Sequence, residues 1–94
     1  MRIAGFRHKD LERFWQRNEA RGVARQYEAK LRAMLTALEE AENIAELETI
    51  PGWRLHPLKG DRKGVWSLAV TRNHRLTFRV EGVVISQIDF EDYH

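Results

Sequence analysis

The stretch Arg75-Leu-Thr-Phe-Arg-Val80 decides the fold class of this 94-residue chain. Apolar and polar residues alternate through it. This period of two predicts a strand with one buried and one exposed face, because successive side chains of a strand point to opposite sides of the sheet. The residues expected to point inward are Leu76, Phe78 and Val80, and those expected to point outward are Arg75, Thr77 and Arg79.

Further strands are predicted on both sides of that stretch. Downstream, Glu81-Gly82 predicts a two-residue hairpin turn, and residues 83–90 predict a last strand. Upstream, residues 53–59 and 65–70 have the composition of two more strands. The second half of the chain is therefore predicted to be an antiparallel meander of four strands.

The first half of the chain is predicted to be helical. Residues 24–42 form a helix whose apolar side chains recur at i, i+4, i+7, i+8, i+11 and i+14, and these are Tyr27, Leu31, Met34, Leu35, Leu38 and Ala41. Residues 9–18 predict a shorter helix, residues 2–6 a short edge strand, and residues 43–48 one further helical turn. The prediction is one α+β domain over residues 1–94, with two helices on one face of a twisted antiparallel sheet. The opposite sheet face is then left for a partner.

Composition and charge narrow the function classes. The chain is 43% hydrophobic and has no cysteine, which excludes a disordered chain, disulfides and thiolate metal sites. With no signal peptide or membrane span in the sequence, a cytoplasmic protein is predicted. Residues 39–51 carry five Glu and no base, whereas residues 52–79 carry seven Lys and Arg against Asp61 alone. A basic surface of this kind favours a polyanionic partner, and its plain alternative is a well-solvated face.

Three segments combine polar groups suited to phosphate chemistry: His56-Pro-Leu-Lys59 with Arg62 and Lys63, then Asn73-His74-Arg75, then Asp92-Tyr93-His94. RNA cleavage through the 2′-hydroxyl needs a base, an acid and cations, and it needs neither metal nor cofactor. Histidine suits the acid and base roles, and lysine and arginine stabilise the developing charge. A tyrosine can stack on a nucleobase. The alternative is that these side chains are solvated surface and that residues 92–94 are a frayed end.

Longer stretches around these segments resemble a known family. They are Pro51-Gly-Trp-Arg-Leu-His-Pro-Leu-Lys-Gly-Asp-Arg-Lys-Gly-Val-Trp-Ser67, Asn73-His-Arg-Leu-Thr-Phe-Arg79, Asp89-Phe-Glu-Asp-Tyr-His94 and the opening Phe6-Arg-His-Lys-Asp-Leu-Glu-Arg-Phe14. Together they are similar to the HigB toxins of the RelE/ParE superfamily. The resemblance implies a RelE-like fold and a ribosome-dependent mRNA endonuclease that cuts in the ribosomal A site. It also implies a HigA-like helix-turn-helix antitoxin that neutralises the toxin and represses the operon at its operator DNA.

The resemblance also assigns roles to residues. The implied catalytic residues are His56, Lys59, Arg75, Asp92, Tyr93 and His94, and the implied RNA-binding residues are Arg62, Lys63, Asn73 and Arg79. Two residues depart from the family pattern, since Arg72 replaces a glycine and His74 replaces an aromatic residue. Two other readings stay open: a toxin of the same fold directed at another target such as DNA gyrase, and a non-catalytic RNA-binding protein.

Overall fold

A computed structural model describes residues 1–92 of the chain. Its elements in order are β1 (Arg2–Ile3), α1 (Lys9–Arg17), α2 (Arg25–Glu40), β2 (His56–Pro57), β3 (Val65–Ala69), β4 (His74–Glu81) and β5 (Val84–Asp92). Two short 3₁₀ turns lie at Ile44–Leu47 and Gly60–Arg62. The predicted element order is therefore confirmed. Tyr93 and His94 lie outside the described residues.

The five strands form one sheet in the order β1-β5-β4-β3-β2. Strands β2 to β5 make the expected antiparallel meander. Strand β1 pairs with β5 in parallel, so the sheet is mixed rather than antiparallel throughout. A parallel neighbour is possible here because both helices and the whole meander separate β1 from β5 along the chain, far more than the dozen or so residues that such a connection needs.

The core lies between the helices and one face of the sheet. Of the apolar residues predicted for α2, all but Tyr27 are buried, and Tyr27 is partly buried. They pack with α1 and with the inward side chains of the central strands in one cluster, whose fully buried members include Phe14, Leu68, Leu76, Phe78, Ile85 and Ile88. No helix within residues 1–92 has both the length and the apolar character needed to cross a membrane.

The ends of the two helices are stabilised both by neighbouring residues and by a group distant in the sequence. Helix α1 begins after His8, whose Nδ1 accepts a hydrogen bond from the Leu11 N–H at 3.0 Å, and it ends at Asn18 in the left-handed conformation. Helix α2 has no basic residue in its last turn. There the Met1 amino group donates to the carbonyl of Glu39 at 2.7 Å, which places a positive charge against the negative end of the helix.

The strand predicted over residues 53–59 is wrong in extent, because only His56–Pro57 pairs with β3. Arg54 adopts a positive φ of 52°, which turns the backbone out of the extended conformation, and Pro57 has no N–H to donate. The hairpin turn is also shifted by one residue. Glu81 pairs with Val84, so the turn residues are Gly82 and Val83.

Candidate functional site

The candidate site lies on the sheet face opposite the helices, here called the open face. Strand register places His56, Ser67, Thr77 and Asp89 in one row across β2, β3, β4 and β5. The next row toward the start of β4 contains Ala69, Arg75 and Glu91. Directly opposite residues share a sheet face. His56 and Arg75, which are far apart in the sequence, are thus brought to one face on strands separated only by β3.

The loop of residues 59–64 folds over the open face and is tied to β5 by an ion pair. Arg62 donates from Nη1 and Nη2 to the two carboxylate oxygens of Glu91, at 2.8 and 2.5 Å. The Thr77 hydroxyl donates to the same carboxylate. Both arms of this bidentate pair are charge-assisted hydrogen bonds, which are stronger than neutral ones. The segment that carries Lys59 is therefore attached to the strand that leads into Asp92.

These contacts shift the pKa values of both Arg62 and Glu91. The guanidinium of Arg62 lowers the pKa of Glu91 below its usual value, with the Thr77 hydroxyl and the charge of Arg7 acting in the same direction against partial burial. The carboxylate of Glu91 in turn raises the pKa of Arg62. Each partner stabilises the charged form of the other, so the pair stays ionised near neutral pH.

Thr77 points to the open face, as the alternation predicted, but only 3% of its surface is accessible. Ser67, its neighbour in the row, is 1% exposed. The loop of residues 59–64 lies on this side of the sheet, as the contacts of Arg62 with Glu91 and of Arg79 with Lys63 show. The loop therefore covers the centre of the open face, and the solvent-accessible cations of this face lie around the covered centre.

The remaining residues of the first motif border the same loop. Lys59 has an extended backbone just before the turn Gly60–Arg62 and is exposed, as is Lys63. Arg79 reaches from β4 to the carbonyl of Lys63 at 3.4 Å. Gly64 sits beside this contact with φ of +93°, a backbone conformation that favours glycine. Hydrogen bonds of the loop of residues 59–64 with β4 and β5 therefore hold together the predicted RNA-binding residues Arg62, Lys63 and Arg79.

His56 lies at the edge of the open face, where a nearby backbone carbonyl orients its ring. Its side chain is exposed, and Nδ1 lies 3.1 Å from the carbonyl oxygen of Arg54. If Nδ1 carries the proton in this contact, Nε2 is left as the atom that can exchange a proton with a substrate. Such an arrangement suits an acid–base role.

The turn between β3 and β4 carries the second motif. The Asn73 N–H donates to the Thr71 hydroxyl, and Thr71 Oγ1 lies 2.8 Å from His74 Nδ1. The His74 ring stacks on Phe90 with centroids 5.4 Å apart, and it lies 4.9 Å from the ring of Tyr27. His74 therefore packs with aromatic rings between helix and sheet rather than toward the open face.

The third motif is described only in part. Asp92 is exposed and pairs with His74 at the end of β5, so the register directs it to the face opposite to Arg75 and Glu91. Tyr93 and His94 lie outside the described residues. Within residues 1–92, no three His, Asp or Glu side chains gather in a way that could hold a metal ion.

Glu91 was not among the residues singled out in the sequence. It lies within the motif Asp89-Phe-Glu-Asp-Tyr-His94, which was noticed for its last three residues. Its contact with Arg62 joins positions 29 residues apart. The alternation of β5 could have placed Glu91 beside Thr77, but no local pattern indicates which cation would meet it.

Comparison with known proteins identifies the family. Residues 4–94 match the model of the RelE-like toxin of the type II toxin–antitoxin system HigB. The chain belongs to the HigB-like toxins. It is 37% identical to Endoribonuclease HigB of Proteus vulgaris over 98% of this chain and 99% of that protein.

Solved structures agree with this assignment of the HigB-like toxin. A YoeB/ParE toxin from Agrobacterium tumefaciens is 28% identical and superimposes with a TM-score of 0.57 over 97% of this chain and 99% of the other. The YoeB–YefM complex from Staphylococcus aureus contains a chain that is 20% identical, with a TM-score of 0.61 over 100% and 99% of the two chains. The RelE-like fold expected from the sequence is confirmed.

Proposed function

We propose that this HigB-like toxin is an endoribonuclease that cuts mRNA in the ribosomal A site and so arrests translation. The observation that carries the proposal is the placement of His56 and Arg75 on one sheet face, beside the cationic loop that Arg62 ties to β5. The arrangement provides a group that can exchange protons next to cations suited to a phosphate. The name of the Proteus vulgaris relative supports the same reaction.

The reaction is transesterification without a required metal. The 2′-hydroxyl loses its proton and attacks the adjacent phosphorus, the P–O5′ bond breaks, and the 5′-oxygen takes up a proton. The products are a 2′,3′-cyclic phosphate and a free 5′-hydroxyl. Lys59 and Arg75 stabilise the charge that develops on the phosphate oxygens. Acid–base work falls to His56 together with His94. Asp92, which the sequence also offered for this work, pairs with His74 and so is directed to the other sheet face. Tyr93 stacks on or positions a nucleotide.

Dependence on the ribosome follows from this small set of groups. The toxin supplies protons and cations, and the ribosome supplies an mRNA strand held in the geometry for in-line attack. Positioning of this kind lowers the activation free energy of a reaction by several kcal/mol. Weak cleavage of free RNA by the purified toxin is expected, and robust cleavage of free RNA would contradict ribosome dependence.

The partner of the toxin in this proposal is a HigA-like helix-turn-helix antitoxin, through which it is linked to operator DNA. A toxin that acts on translating ribosomes acts in the cytoplasm. Family membership in a type II toxin–antitoxin system supports an antitoxin partner. A complex of this kind is known for the YoeB of Staphylococcus aureus, whose structure was solved with YefM.

The decisive test uses purified toxin, programmed ribosomes and a labelled mRNA. Wild-type toxin is expected to give discrete cuts in the A-site codon, with the rate reduced by about 100-fold in Lys59→Ala, as for the loss of one group that stabilises transition-state charge. Deletion of His94 is expected to abolish the cuts. Lys9→Ala is the matched control, because Lys9 is an exposed lysine on α1, away from the open face.

Two outcomes would overturn the proposal. Growth arrest on expression without mRNA cuts would indicate another target, such as gyrase. Salt-sensitive RNA binding without cleavage products, weakened equally by every basic substitution, would indicate a non-catalytic RNA-binding protein.

A further inference from the structure

The guanidinium of Arg62 lies at the open face with both of its terminal nitrogens engaged. They donate to the two carboxylate oxygens of Glu91, at 2.8 and 2.5 Å. The Thr77 hydroxyl donates to the same carboxylate. Arg7, whose backbone N–H donates to the Ile88 carbonyl beside β5, adds its charge. Donors from the loop of residues 59–64 and from β4 thus surround one anionic group that has two oxygens.

Glu91 lies where the proposed reaction requires a phosphate. The strand register pairs Glu91 directly with Arg75, and both are on the open face. The Cβ atoms of directly opposite residues are about 4.5–5.5 Å apart. An RNA phosphate that is held by Arg75 therefore comes close to the carboxylate of Glu91, and two anions at short range repel each other. The repulsion is relieved if a cation that neutralises Glu91 moves toward the phosphate, and Arg62 is in contact with Glu91.

A phosphodiester group can replace the carboxylate as the partner of Arg62. Like a carboxylate, it has two oxygens that share one negative charge, and a guanidinium binds either anion in a bidentate manner. The ion pair is accessible from solvent, because the side chains of Arg62 and Glu91 are 44% and 26% exposed. Ion pairs that are exposed to this degree contribute little to stability, so the exchange of one anion for the other requires little free energy.

We propose that Glu91 and a phosphodiester group of RNA compete for Arg62, an inference that rests on the proposed endoribonuclease function. In the free toxin, Glu91 holds the guanidinium and tethers the loop of residues 59–64 to β5. In the RNA complex, the phosphate takes the guanidinium, and Glu91 keeps the hydrogen bond from Thr77. Glu91 thereby lowers the affinity of the free toxin for RNA.

A double-mutant cycle on RNA binding tests the competition. The probe is a fluorescent single-stranded RNA with 2′-O-methyl groups, which cannot be cut through its 2′-oxygens. Glu91→Gln is expected to raise the affinity about five- to tenfold. It should also steepen the dependence of log K on log salt concentration by about 0.7, the value for one more phosphate contact on a single strand. Both effects should vanish in the Arg62→Gln background, because no guanidinium is then released.

Two further variants separate the competition from a change in net charge. Asp61→Asn is the matched control, since it removes one negative charge from an exposed position of the same loop. Its effect on RNA affinity should be the same with and without Arg62. Glu91→Asp keeps the charge but shortens the side chain, which withdraws the carboxylate from the bidentate contact. We expect it to raise the affinity about two- to fivefold. It provides the comparison if circular dichroism shows that Glu91→Gln does not fold.

The guanidinium of Arg62 can also be followed directly by NMR. In ¹⁵N-labelled wild-type toxin, the side-chain N–H signals of Arg62 are identified by their loss in Arg62→Gln. Saturating 2′-O-methyl RNA is expected to shift these signals together with the backbone amide signal of Glu91. Unchanged Arg62 signals in the RNA complex would show that the guanidinium stays on Glu91, and they would overturn the competition.

Two kinds of ribosome identify the source of the phosphate. Binding of fluorescent toxin is measured on ribosomes whose mRNA continues through the A site, with 2′-O-methyl groups in that codon, and on ribosomes whose mRNA ends at the P-site codon. A phosphate of mRNA predicts that Glu91→Gln raises the affinity only for the first kind. A phosphate of ribosomal RNA predicts an equal gain on both, and no gain on either would contradict the competition.

The outcomes distinguish the competition from the proposed nuclease function. Discrete A-site cuts by wild-type toxin, with effects of Glu91→Gln and Arg62→Gln on RNA affinity that simply add, would overturn the competition and leave the nuclease standing. A gain in affinity that needs Arg62, without any cuts, would uphold the competition and overturn the nuclease. Weaker RNA binding by both Glu91→Gln and Glu91→Asp would also refute the competition, because it would show that Glu91 holds Arg62 in place for RNA.

Discussion

At the scale of the residue, the notable side chain is Glu91, because one carboxylate joins three parts of the molecule. It accepts from Arg62 in the loop of residues 59–64 and from Thr77 in β4, and it lies one residue before Asp92 in β5. Of these two partners, Arg62 is the one that no local pattern relates to Glu91. We assign Glu91 to positioning rather than to chemistry, since both of its oxygens are already occupied by protein donors.

Replacement of Glu91 by glutamine should make the free energy of unfolding less dependent on pH in the acidic range. The pKa of Glu91 is lowered in the folded protein. Its ionised form therefore stabilises the fold above about pH 4.3, the pKa of an unperturbed glutamate. This stabilisation is lost as the pH falls through the lower pKa of the folded state. At pH 7 we expect Glu91→Gln to lower the free energy of unfolding by about 0.5–1 kcal/mol, a modest value because Arg62 is partly exposed.

Thermal unfolding between pH 3 and pH 7 measures this effect. The difference in Tm between wild type and Glu91→Gln should be largest near pH 7 and should approach zero near pH 3. Glu48→Gln, at an exposed glutamate remote from the ion pair, should show no such pH-dependent difference. A Tm difference for Glu91→Gln that is constant across this range would contradict the role of the Glu91 charge.

At the scale of the element, β5 contains an irregularity that sets which of its residues face the core. The pairing with β4 shifts by one residue between Thr77 and Arg79, and Gln87 has φ of 51°. This is a β-bulge with one left-handed residue. Because of the extra residue, Ile85 and Ile88 are both buried although they are three positions apart. Strict alternation would have placed them on opposite faces.

Glycine at the bulge should stabilise the toxin. A residue with a side chain pays roughly 1 kcal/mol or more in the left-handed conformation, and glycine avoids this strain at some loss of backbone entropy. We expect Gln87→Gly to raise the free energy of unfolding by about 0.5 kcal/mol in urea denaturation. Gln87→Ala keeps the strain and should give no gain. A stability of Gln87→Gly below that of Gln87→Ala would show that the left-handed conformation is not strained here.

At the scale of the whole molecule, helices and sheet share one core. Phe78 in β4 is fully buried in the same cluster as Phe14 of α1 and Leu35 of α2. The tryptophans Trp15, Trp53 and Trp66 pack partly buried against that cluster. Neither layer has another apolar partner among the described residues, so neither is expected to unfold alone.

One cooperative transition is therefore expected. Unfolding followed by far-ultraviolet circular dichroism, which reports mainly the helices, should coincide with unfolding followed by tryptophan fluorescence. Phe78→Ala should shift both curves equally, with a loss of about 3–5 kcal/mol from the missing contacts and the cavity left behind. Separate midpoints for the two signals would show that helices and sheet are independent units.

Local periodicity predicted most of the fold of this toxin. The apolar stripe of α2 and the alternation of β4 depend on how side chains repeat along a regular backbone, and both appear in the structure. The predicted extent of β2 was wrong, because Arg54 leaves the extended region. The predicted position of the hairpin turn was also wrong, because the turn lies at Gly82 and Val83. These are choices of one or two dihedral angles, which periodicity does not encode.

The candidate site divides in the same way. The residue types needed for RNA cleavage, the basic segment 52–79 and the family motifs can all be read from the sequence, since they are properties of the chain itself. Tertiary structure alone decided that His56 and Arg75 share a face and that Arg62 meets Glu91. These contacts join residues far apart in the sequence, and they exist only when packing of the common core brings strands and helix together. The sequence by itself therefore determined the kind of chemistry available, and folding decided which groups act in the same place.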